Sequence, residues 1–401
     1  MKSIYQAKFC NVYSILTEIF ILFSTTTLLY NILNAYIPIN RILGLLILCL
    51  TGVLYIKHCR KKDLAILLIS TVLFISGLFR ETDFFSDGLD NAIYWYSTIF
   101  ILCEMTNPLC RNKLREVFYA RKGFIKIIVL INALIIITGF FLSSCYNTNW
   151  GGKYYVGFAY SNHVLACGCC MSMCLALWVI GDIKNDWLKL FVNLPFALAI
   201  LQCGARTYLV PVLIVYFLTY KLYIKKISSK LILVPFIILV GIYGFIHSGL
   251  MDKFINPNSY SRWSGINLFT NGRTVFWLID LDSYFHSSLS GVLFGNGFGF
   301  SYHINSLKYG REIWAHNDFI EVLISTGIIG FTAHMYVLIK NFDCLKKHTY
   351  KLTMWCVILY YVFVAFINGT IIYQHYIYSF IILELLVEHI GRFQGNKVLR
   401  W

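Results

Sequence analysis

The sequence predicts an all-α, polytopic integral membrane protein with about twelve transmembrane helices and a large extracytoplasmic loop between helices 9 and 10. Three observations predict this class. The 401-residue chain is 58% hydrophobic and only 13% charged, whereas soluble domains carry roughly 25% charged residues. Its mean hydropathy is +0.66. Its apolar residues also form successive runs of about 20, the length that crosses a bilayer.

Twelve apolar segments divide the chain, and polar or basic stretches separate them. The segments are residues 12–30, 39–56, 64–79, 91–106, 124–142, 160–180, 188–202, 207–223, 231–246, 317–339, 352–368 and 376–390. The seventh is short, and the even count depends on it. We expect residues 1–401 to form a single polytopic membrane domain, with the large extracytoplasmic loop 247–316 inserted within it.

The orientation follows from the basic residues, which collect on one side of the predicted membrane. Basic clusters follow the second, fourth, eighth and tenth segments, in loops at 57–62, 111–122, 221–230 and 340–351. An acidic turn at 81–90 follows the third segment instead. Because Lys and Arg mark cytoplasmic loops, we expect both termini in the cytoplasm and the 247–316 loop outside it.

Charge and cysteine content exclude two other classes of protein. The net charge of +15 does not indicate nucleic-acid binding, because basic loops beside anionic lipid headgroups account for it. The thirteen cysteines, an odd number, lie mostly in apolar segments or basic loops, which argues against a secreted disulfide framework. Four of them share one apolar run without a partner set of Cys or His, so we interpret them as packing residues rather than a metal site. They are Cys167, Cys169, Cys170 and Cys174.

The first apolar run is too long for the core of a cleavable signal peptide and lacks a small-x-small exit, so we expect it to remain as an anchor.

Aromatic residues fill the outer loop 143–163, namely Tyr146, Trp150, Tyr154, Tyr155 and Tyr160. An interfacial aromatic belt explains this composition, and sugar stacking is the functional alternative. Asn162 and His163 then enter the sixth segment from outside, where they could cap the helix or touch a ligand.

The turn between the seventh and eighth segments places Arg206 at the outer start of a helix. Helix N-termini carry partial positive charge and free N–H groups. A guanidinium adds a planar fork of donors for phosphate oxygens, so the turn predicts an anion site. The alternative is an arginine that snorkels to lipid headgroups, which is less usual in a Gly-Ala turn on the outer side.

The 247–316 loop is rich in aromatic residues, and loops of this length are usually functional or disordered. Within it, Thr274–Leu289 has the pattern of a short amphipathic helix with Asn271 as its cap. Arg273 then lies in the first turn, where an anion is favoured; a surface arginine is the alternative. The apolar side of this helix comprises Val275, Leu278, Ile279 and Leu281.

Gly295, Gly297 and Gly299 form a Gly-x-Gly-x-Gly turn late in this loop. We do not expect a dinucleotide-binding fingerprint, because the sequence pattern predicts neither a strand before the turn nor a helix directly after it. We interpret it as a flexible turn whose backbone can approach a ligand. Gly327 and Gly330, further along, indicate close helix packing.

A histidine, an amide and two carboxylates lie within six residues at the start of the tenth segment: His316, Asn317, Asp318 and Glu321. A helix N-terminus disfavours the imidazolium, so we expect His316 to be neutral and able to accept a proton. Asn317 and Glu321 are four residues apart and share one face. Helix capping by His316 and Asp318 is the plain alternative, but this group is richer than capping requires.

In these residues and the motifs around them, the chain resembles the superfamily of bacterial O-antigen ligases and O-antigen or capsule polymerases, which are multi-spanning membrane glycosyltransferases. In topology the resemblance covers most of the chain, while the specific motifs occupy only 157–163 and 204–330. They are Gly-Ala-Arg-Thr at 204–207, Gly-Arg-x-x-x-Trp at 272–277, Leu-Phe-Gly-Asn-Gly-Phe-Gly at 293–299 and the block that begins Ala-His-Asn-Asp at 315 and ends at Gly330, with a weaker match at 157–162.

The resemblance implies that Arg206, Arg273 and His316 are the catalytic residues. We expect six further residues to contact the substrate, namely Asn162, His163, Trp277, Asn317, Asp318 and Glu321. The family transfers a glycan from an undecaprenyl-diphosphate carrier to an acceptor hydroxyl, with no nucleotide sugar, no cofactor and no required metal. The implied location is the bacterial cytoplasmic (inner) membrane. The implied partners are membrane lipids, the undecaprenyl-diphosphate-linked oligosaccharide, a flippase and a chain-length regulator, with no nucleic acid.

We favour a polymerase, which extends another carrier-linked repeat, over a ligase, which delivers to a lipid A core sugar. The outer loop is moderate in length, and the aromatic outer surfaces could hold an extended glycan. A lipid-linked oligosaccharide flippase or other transporter would instead place ionisable residues at a central cavity within the membrane. Glu18, Glu104 and Glu384 lie within spans or near their ends, but no Arg or Lys lies deep in one. A non-enzymatic scaffold would leave 271–318 tolerant of substitution.

Overall fold

The computed structural model describes residues 2–58, 85–148, 153–224, 272–347 and 349–398, together with positions 242, 246, 267 and 270. Several predicted features lie outside the described residues. They are the third segment at 64–79, nearly all of the ninth at 231–246, the part of the long loop from 247 to 266, Trp150 and the predicted cap Asn271.

The described chain folds almost entirely into helices, which confirms the all-α prediction. The first half contains α1 (Lys2–Leu28), α2 (Tyr30–Asn34), α3 (Ile39–His58), α4 (Phe85–Thr106), α5 (Pro108–Ala120), α6 (Lys122–Phe140), α7 (Asn162–Ile180), α8 (Asp186–Phe191), α9 (Leu194–Gln202) and α10 (Leu209–Tyr223). The second half contains α11 (Arg273–Phe285), α12 (Leu289–Phe294), α13 (Phe300–Tyr309), α14 (Asp318–Lys346), α15 (Lys351–Ile367) and α16 (Gln374–Val398). Two short antiparallel strands, β1 (Tyr146–Asn147) and β2 (Tyr154–Tyr155), pair before α7.

Four of the described helices are long and apolar enough to cross a membrane, which supports the membrane prediction. They are α3, α6, α7 and α14, and two shorter apolar helices span Val12–Leu28 and Lys351–Ile367. Large aliphatic side chains point away from the protein: Leu130 on α6 is 61% exposed and Leu213 on α10 is 65% exposed. Extended apolar surfaces of this kind suit contact with lipid rather than water.

α7 forms the centre of the bundle, and every one of its residues except His163 is buried. Small side chains let the neighbouring helices approach closely: a Cβ added at Gly168 would lie 2.9 Å from a methyl carbon of Leu28. The cysteines of this run pack inside the bundle, as predicted. Cys167 Sγ, for example, lies 3.2 Å from the hydroxyl of Tyr208.

α14 is broken at Gly327, whose φ of 68° and ψ of −176° are not helical. The glycine turn packs against this break. The N–H of Gly297 donates to the carbonyl of Ser325 at 3.1 Å, and a Cβ added at Gly295 would lie 2.0 Å from that same oxygen. The close packing predicted at Gly327 is therefore confirmed. The glycine turn packs closely on α14, and its predicted approach to a ligand stays a prediction. The expectation that no helix follows the turn is wrong, because α13 begins at Phe300.

The seventh segment, predicted as one span at 188–202, is two helices, α8 and α9. Hydrogen bonds fasten both ends of this pair to the bundle. Lys189 Nζ donates to the carbonyl of Tyr223, at the end of α10, at 2.9 Å. Asn162 Nδ2, at the start of α7, donates to the carbonyl of Cys203 at 2.5 Å. The chain therefore breaks at 192–193, inside the predicted segment.

The bundle has two ends. The site end is where α7 and α16 begin and α15 ends; the opposite end is where α3 and α4 end and α5 lies. At the opposite end, the sequence pattern predicts an open basic loop at 111–122, but most of this stretch is helix α5. Arg111 of α5 is buried and pairs with Glu384 at 2.8 Å and with Glu388, both on α16.

Candidate functional site

The site end brings together four stretches that are far apart in the sequence. They are the turn 206–208, the start of α11 at 273, the segment 314–317 before α14, and the loop 368–373 between α15 and α16. His163, the single residue of α7 that is not buried, faces the same region. The three predicted catalytic residues all lie in these stretches.

Asn368, at the end of α15, joins the stretches to one another. Its side-chain oxygen accepts a hydrogen bond from Arg273 Nη2 at 2.8 Å, and its Nδ2 donates to the hydroxyl of Tyr208 at 3.2 Å. Its backbone carbonyl lies within hydrogen-bonding reach of the His316 ring. Sequence reasoning misses Asn368, because Asn-Gly after an apolar segment is an ordinary helix-ending signal and does not by itself indicate a site.

Arg273 is the first residue of α11, so its predicted place in the first turn is confirmed. The predicted N-cap, Asn271, is wrong. The N-cap is Gly272, whose φ of 82° is left-handed and whose N–H donates to the carbonyl of Asn267 at 2.7 Å. Glycine adopts this conformation readily because it has no Cβ. The cap is therefore Gly272 and not Asn271.

α11 also differs from the predicted helix in its length and its buried face. It ends at Phe285 rather than at 289. Its buried residues are Phe276, Asp280 and Tyr284, whereas Leu278, which the sequence pattern assigns to the apolar side, is 69% exposed. The buried stripe contains a carboxylate, so a pattern based on hydrophobicity alone does not find it.

Two guanidinium groups share the site end. Burial, together with the nearby charge of Arg206, lowers the pKa of Arg273 to about 10, against the opposing influence of Tyr373 and Tyr208. Burial also lowers the pKa of Arg206, and Tyr154 opposes that shift. Both groups stay charged near pH 7. In the part of the chain that the structure describes, no carboxylate pairs with Arg273.

His316 has a φ of 53° and is the one non-glycine residue with a positive φ in the described ranges. The residues on both sides of it are fixed. The N–H of Ala315 donates to Glu321 at 3.2 Å, and its carbonyl accepts from Trp277 Nε1 at 2.7 Å. Asn317 caps α14 with its side-chain oxygen. Strained backbone persists only where the surroundings hold it, and here they hold the imidazole in one place.

The imidazole of His316 is neutral near pH 7. Burial lowers its pKa well below the ordinary value, and the charges of Arg273 and His163 lower it further. This shift favours the neutral form that the sequence predicts, and its main cause is burial rather than the helix N-terminus. Its Nδ1 is buried and has no hydrogen-bond partner among the described residues. A neutral imidazole nitrogen of this kind can accept a proton.

The oxygens of Asp318 and Glu321 are occupied by protein donors. Asp318 accepts from the backbone N–H of Thr370 at 2.7 Å and from its hydroxyl at 2.5 Å. Glu321 accepts from the hydroxyl of Ser301 at 2.9 Å. These carboxylates fix the segments that surround His316. Their predicted direct contact with substrate stays a prediction.

The remaining predicted substrate residues lie around the same region. Asn162 ties the end of α9 to α7 through its hydrogen bond to the carbonyl of Cys203. The ring of His163 lies 5.7 Å from that of Tyr373 and 6.0 Å from that of Tyr208. Trp277 donates a hydrogen bond to the carbonyl of Ala315. Its ring also lies 5.4 Å from the ring of Phe366. The structure thus brings every predicted site residue to the site end.

A cavity of about 430 Å³ opens beside the site. Tyr373 lines it and also lies 6.3 Å from the ring of Trp314, next to His316, so the cavity and the site share a wall. The cavity is bounded by α1, α3, α4 and the start of α7. Its charged and tyrosine residues are Arg41, Asp90, Tyr30, Tyr94, Tyr160 and Tyr373. Of these, only Tyr160 stands out in the sequence, as part of the aromatic outer loop; a lone arginine such as Arg41, outside any motif, gives no signal.

No protein-family model matches the chain, and no curated protein matches it. What the site can do chemically follows from its own groups. The two guanidiniums can hold an oxygen-rich anion, and the imidazole nitrogen can accept a proton. The tyrosine rings of the adjoining cavity offer flat apolar faces to a sugar.

Proposed function

We propose that the protein is a bacterial surface-polysaccharide polymerase of capsule or O-antigen assembly. It transfers a glycan from undecaprenyl diphosphate to the hydroxyl of another carrier-linked repeat unit, without a metal or a nucleotide sugar. One observation carries the proposal: Arg273 and His316, which come from separate parts of the chain, both contact Asn368 at the site end. Arg206, from a third part, lies near enough for its charge to act on Arg273.

The electrostatics of the site support recognition of a diphosphate. Two partly buried guanidiniums lie close enough for the charge of Arg206 to lower the pKa of Arg273. Holding like charges together in a poorly solvated place is unfavourable. An anion with several oxygens relieves the repulsion and gives both forks hydrogen-bond acceptors, so a diphosphate suits this site better than a neutral sugar alone.

The reaction uses these groups as follows. The acceptor hydroxyl oxygen bonds to the anomeric carbon of the donor glycan, and the bond from that carbon to the diphosphate oxygen breaks. The leaving undecaprenyl diphosphate takes the electron pair, and the guanidiniums of Arg206 and Arg273 stabilise its growing charge. The Nδ1 of His316 accepts the hydroxyl proton, which is general-base catalysis typically worth about 10²–10⁴-fold.

The cavity beside the site is the proposed place for the carrier-linked glycan. Tyr30, Tyr94 and Tyr160 offer ring faces for sugars, and Arg41 and Asp90 offer hydrogen bonds to hydroxyl groups. Tyr373 borders both the cavity and the site, so a glycan bound in the cavity could extend to the reacting carbon. This assignment extends the sugar-stacking alternative for the loop 143–163.

The proposed location is the bacterial inner membrane, with about twelve spans, both termini in the cytoplasm and the site end outside. The basic residues of α5 and of the turn that follows it support this orientation, since they lie at the opposite end, where Lys and Arg mark the cytoplasmic side. A lipid-linked donor reaches the site end from the outer leaflet.

The test uses the purified full-length protein in vesicles with defined undecaprenyl-diphosphate-linked repeats. Chain extension and release of undecaprenyl diphosphate are both measured. Extension without any other enzyme is the expected result. Release that requires a lipid A core acceptor would identify a ligase instead, and movement of the lipid-linked glycan across the membrane without release would identify a flippase.

A further inference from the structure

A histidine, a carboxylate and a thiol converge at the opposite end of the bundle, far from the candidate site. His58 is the last residue of α3, Glu104 lies in the last turn of α4, and Cys110 lies in the first turn of α5. His58 Nδ1 lies 3.3 Å from Cys110 Sγ and 3.6 Å from a Glu104 oxygen. The three ligand atoms all lie within 4.8 Å of one another.

We propose that His58, Glu104 and Cys110 bind a divalent cation of the zinc class. The spacing of the three atoms fits such an ion. A tetrahedral zinc with Zn–S of about 2.3 Å and Zn–N of about 2.0 Å separates its sulfur and nitrogen ligands by about 3.5 Å. The observed 3.3 Å between Cys110 Sγ and His58 Nδ1 is close to this value. The inference is independent of the polymerase proposal.

The donor set selects the class of cation. A thiolate and an imidazole favour zinc, while magnesium and calcium prefer oxygen ligands throughout. Three protein ligands leave a fourth position for water or another donor. The hydroxyl of Tyr13 lies 3.1 Å from Cys110 Sγ, so it can orient the sulfur or complete the shell.

The burial of the ligands leaves the cluster open to a cation on one side. Glu104 and Cys110 are buried, whereas the side chain of His58 is 20% exposed, so a cation can reach the cluster from the His58 side. On binding, the thiol proton of Cys110 passes to solvent and the sulfur bonds the cation as thiolate.

The bound cation joins three helices at one point. It ties α5 to the ends of α3 and α4, and Arg111, the residue after Cys110, pairs with Glu384 and Glu388 of α16. Ligand binding to the folded state alone raises stability, so the cation should stabilise this end of the bundle.

The test measures zinc binding by the purified full-length protein in detergent, with competition against a chromophoric chelator under reducing conditions. Cobalt(II) serves as a second probe, because a cysteine thiolate ligand gives a charge-transfer band. We expect one zinc per chain and a cobalt–thiolate band. Loss of an outer-shell partner typically weakens metal binding about 10–100-fold, so Cys110→Ser and His58→Ala, which remove ligands, should weaken it at least as much.

Cys49→Ser is the matched control, because Cys49 is an exposed free cysteine elsewhere on α3. It should bind zinc like the unmodified protein. Elution volume and thermal melting report whether each variant is folded. If Cys110→Ser does not fold, the decision rests on His58→Ala and on the zinc-induced rise in melting temperature of the unmodified protein. Unchanged binding by a folded Cys110→Ser or His58→Ala, or no binding and no melting shift in the unmodified protein, overturns the proposal.

Discussion

At the scale of single residues, the side chain of Asn368 sets the relation between the groups that we assign to catalysis. It holds the guanidinium of Arg273 through one atom and the hydroxyl of Tyr208 through another, while its carbonyl faces the ring of His316. An amide suits this place because it accepts and donates at once without adding charge. Arg273 therefore keeps its charge available for an anion.

Loss of either arginine should nearly abolish polymer formation. Removing one group that stabilises a developing anion typically costs about 10²–10³ in rate, so Arg206→Ala and Arg273→Ala should each lower kcat by roughly that factor. Arg273→Lys keeps the charge but not the planar fork, and should retain intermediate activity. The measurement is glycan extension by purified protein at matched amounts. Arg311→Ala is the control, since Arg311 is exposed in the same part of the chain; wild-type rates for Arg206→Ala or Arg273→Ala would contradict their role.

The pH dependence should report the depressed pKa of His316. A base must be neutral to act, and the pKa of His316 lies well below that of an ordinary histidine because the ring is buried near Arg273 and His163. The group therefore remains neutral as pH falls through about 6.5, where a free histidine is half protonated. We expect kcat/KM to stay level from pH 7.5 to 6.5 and to fall only at lower pH. An acid limb centred at or above about 6.5 would argue against His316 as the base.

At the scale of elements, the contact between the glycine turn and the broken helix α14 fixes the segment that carries His316. The break at Gly327 leaves carbonyls without helical partners, and N–H groups of the turn satisfy them. Both backbones come so close that no Cβ fits between them. This contact locks the start of α14 against the end of α12.

Gly295→Ala should therefore be severely destabilising, while Gly310→Ala should not. Gly310, with φ 72° and ψ 23°, is in the left-handed region, where a Cβ costs about 1–2 kcal/mol. Gly295, with φ 85° and ψ 172°, is in a region that essentially only glycine adopts. A Cβ at Gly295 would also lie 2.0 Å from the carbonyl oxygen of Ser325, whereas nothing lies within 4 Å at Gly310. Thermal melting in detergent checks the difference. Equal losses of melting temperature would mean that the close contact does not hold α14.

The sequence locates the three candidate catalytic groups but not the element that joins them. Arg206, Arg273 and His316 stand out locally, because each is a polar group beside a helix start. Their meeting depends on the loop 368–373, which follows a later helix and has no motif. The predicted N-cap of α11, Asn271, is wrong because the observed cap is Gly272 in a left-handed conformation. A glycine has no side chain that would mark it as a cap in the sequence, whereas an asparagine does. The predicted buried face of α11 is wrong because the observed face contains Asp280, a carboxylate that a hydrophobic pattern does not select.

At the scale of the whole molecule, the two ends of the bundle carry different chemistry. The site end gathers arginines, an imidazole and tyrosines, whereas the opposite end holds the Arg111 pairs with Glu384 and Glu388 and the proposed cation cluster. α7 and α16 run between them and are largely buried. The groups that we propose for a lipid-linked substrate are thus kept apart from the groups that tie the helices together.

Labelling of introduced cysteines should reveal which side of the membrane each end faces. Tyr36 is 88% exposed at the site end, and the side chain of Lys113 is 56% exposed at the opposite end. In intact spheroplasts, a membrane-impermeant maleimide should label Tyr36→Cys but not Lys113→Cys, because the proposed orientation places the site end outside. The unmodified chain gives the background from native cysteines such as Cys49. The reverse pattern would rule out an extracytoplasmic site.

The left-handed backbone at His316 has a practical consequence. Asparagine tolerates that conformation better than alanine does, so His316→Asn removes the imidazole while the surrounding turn keeps its shape. If the proposed reaction is right, a protein altered in this way should still bind the lipid diphosphate donor but should not transfer the glycan. It is therefore the form best suited to trapping a donor in place and imaging it by electron microscopy.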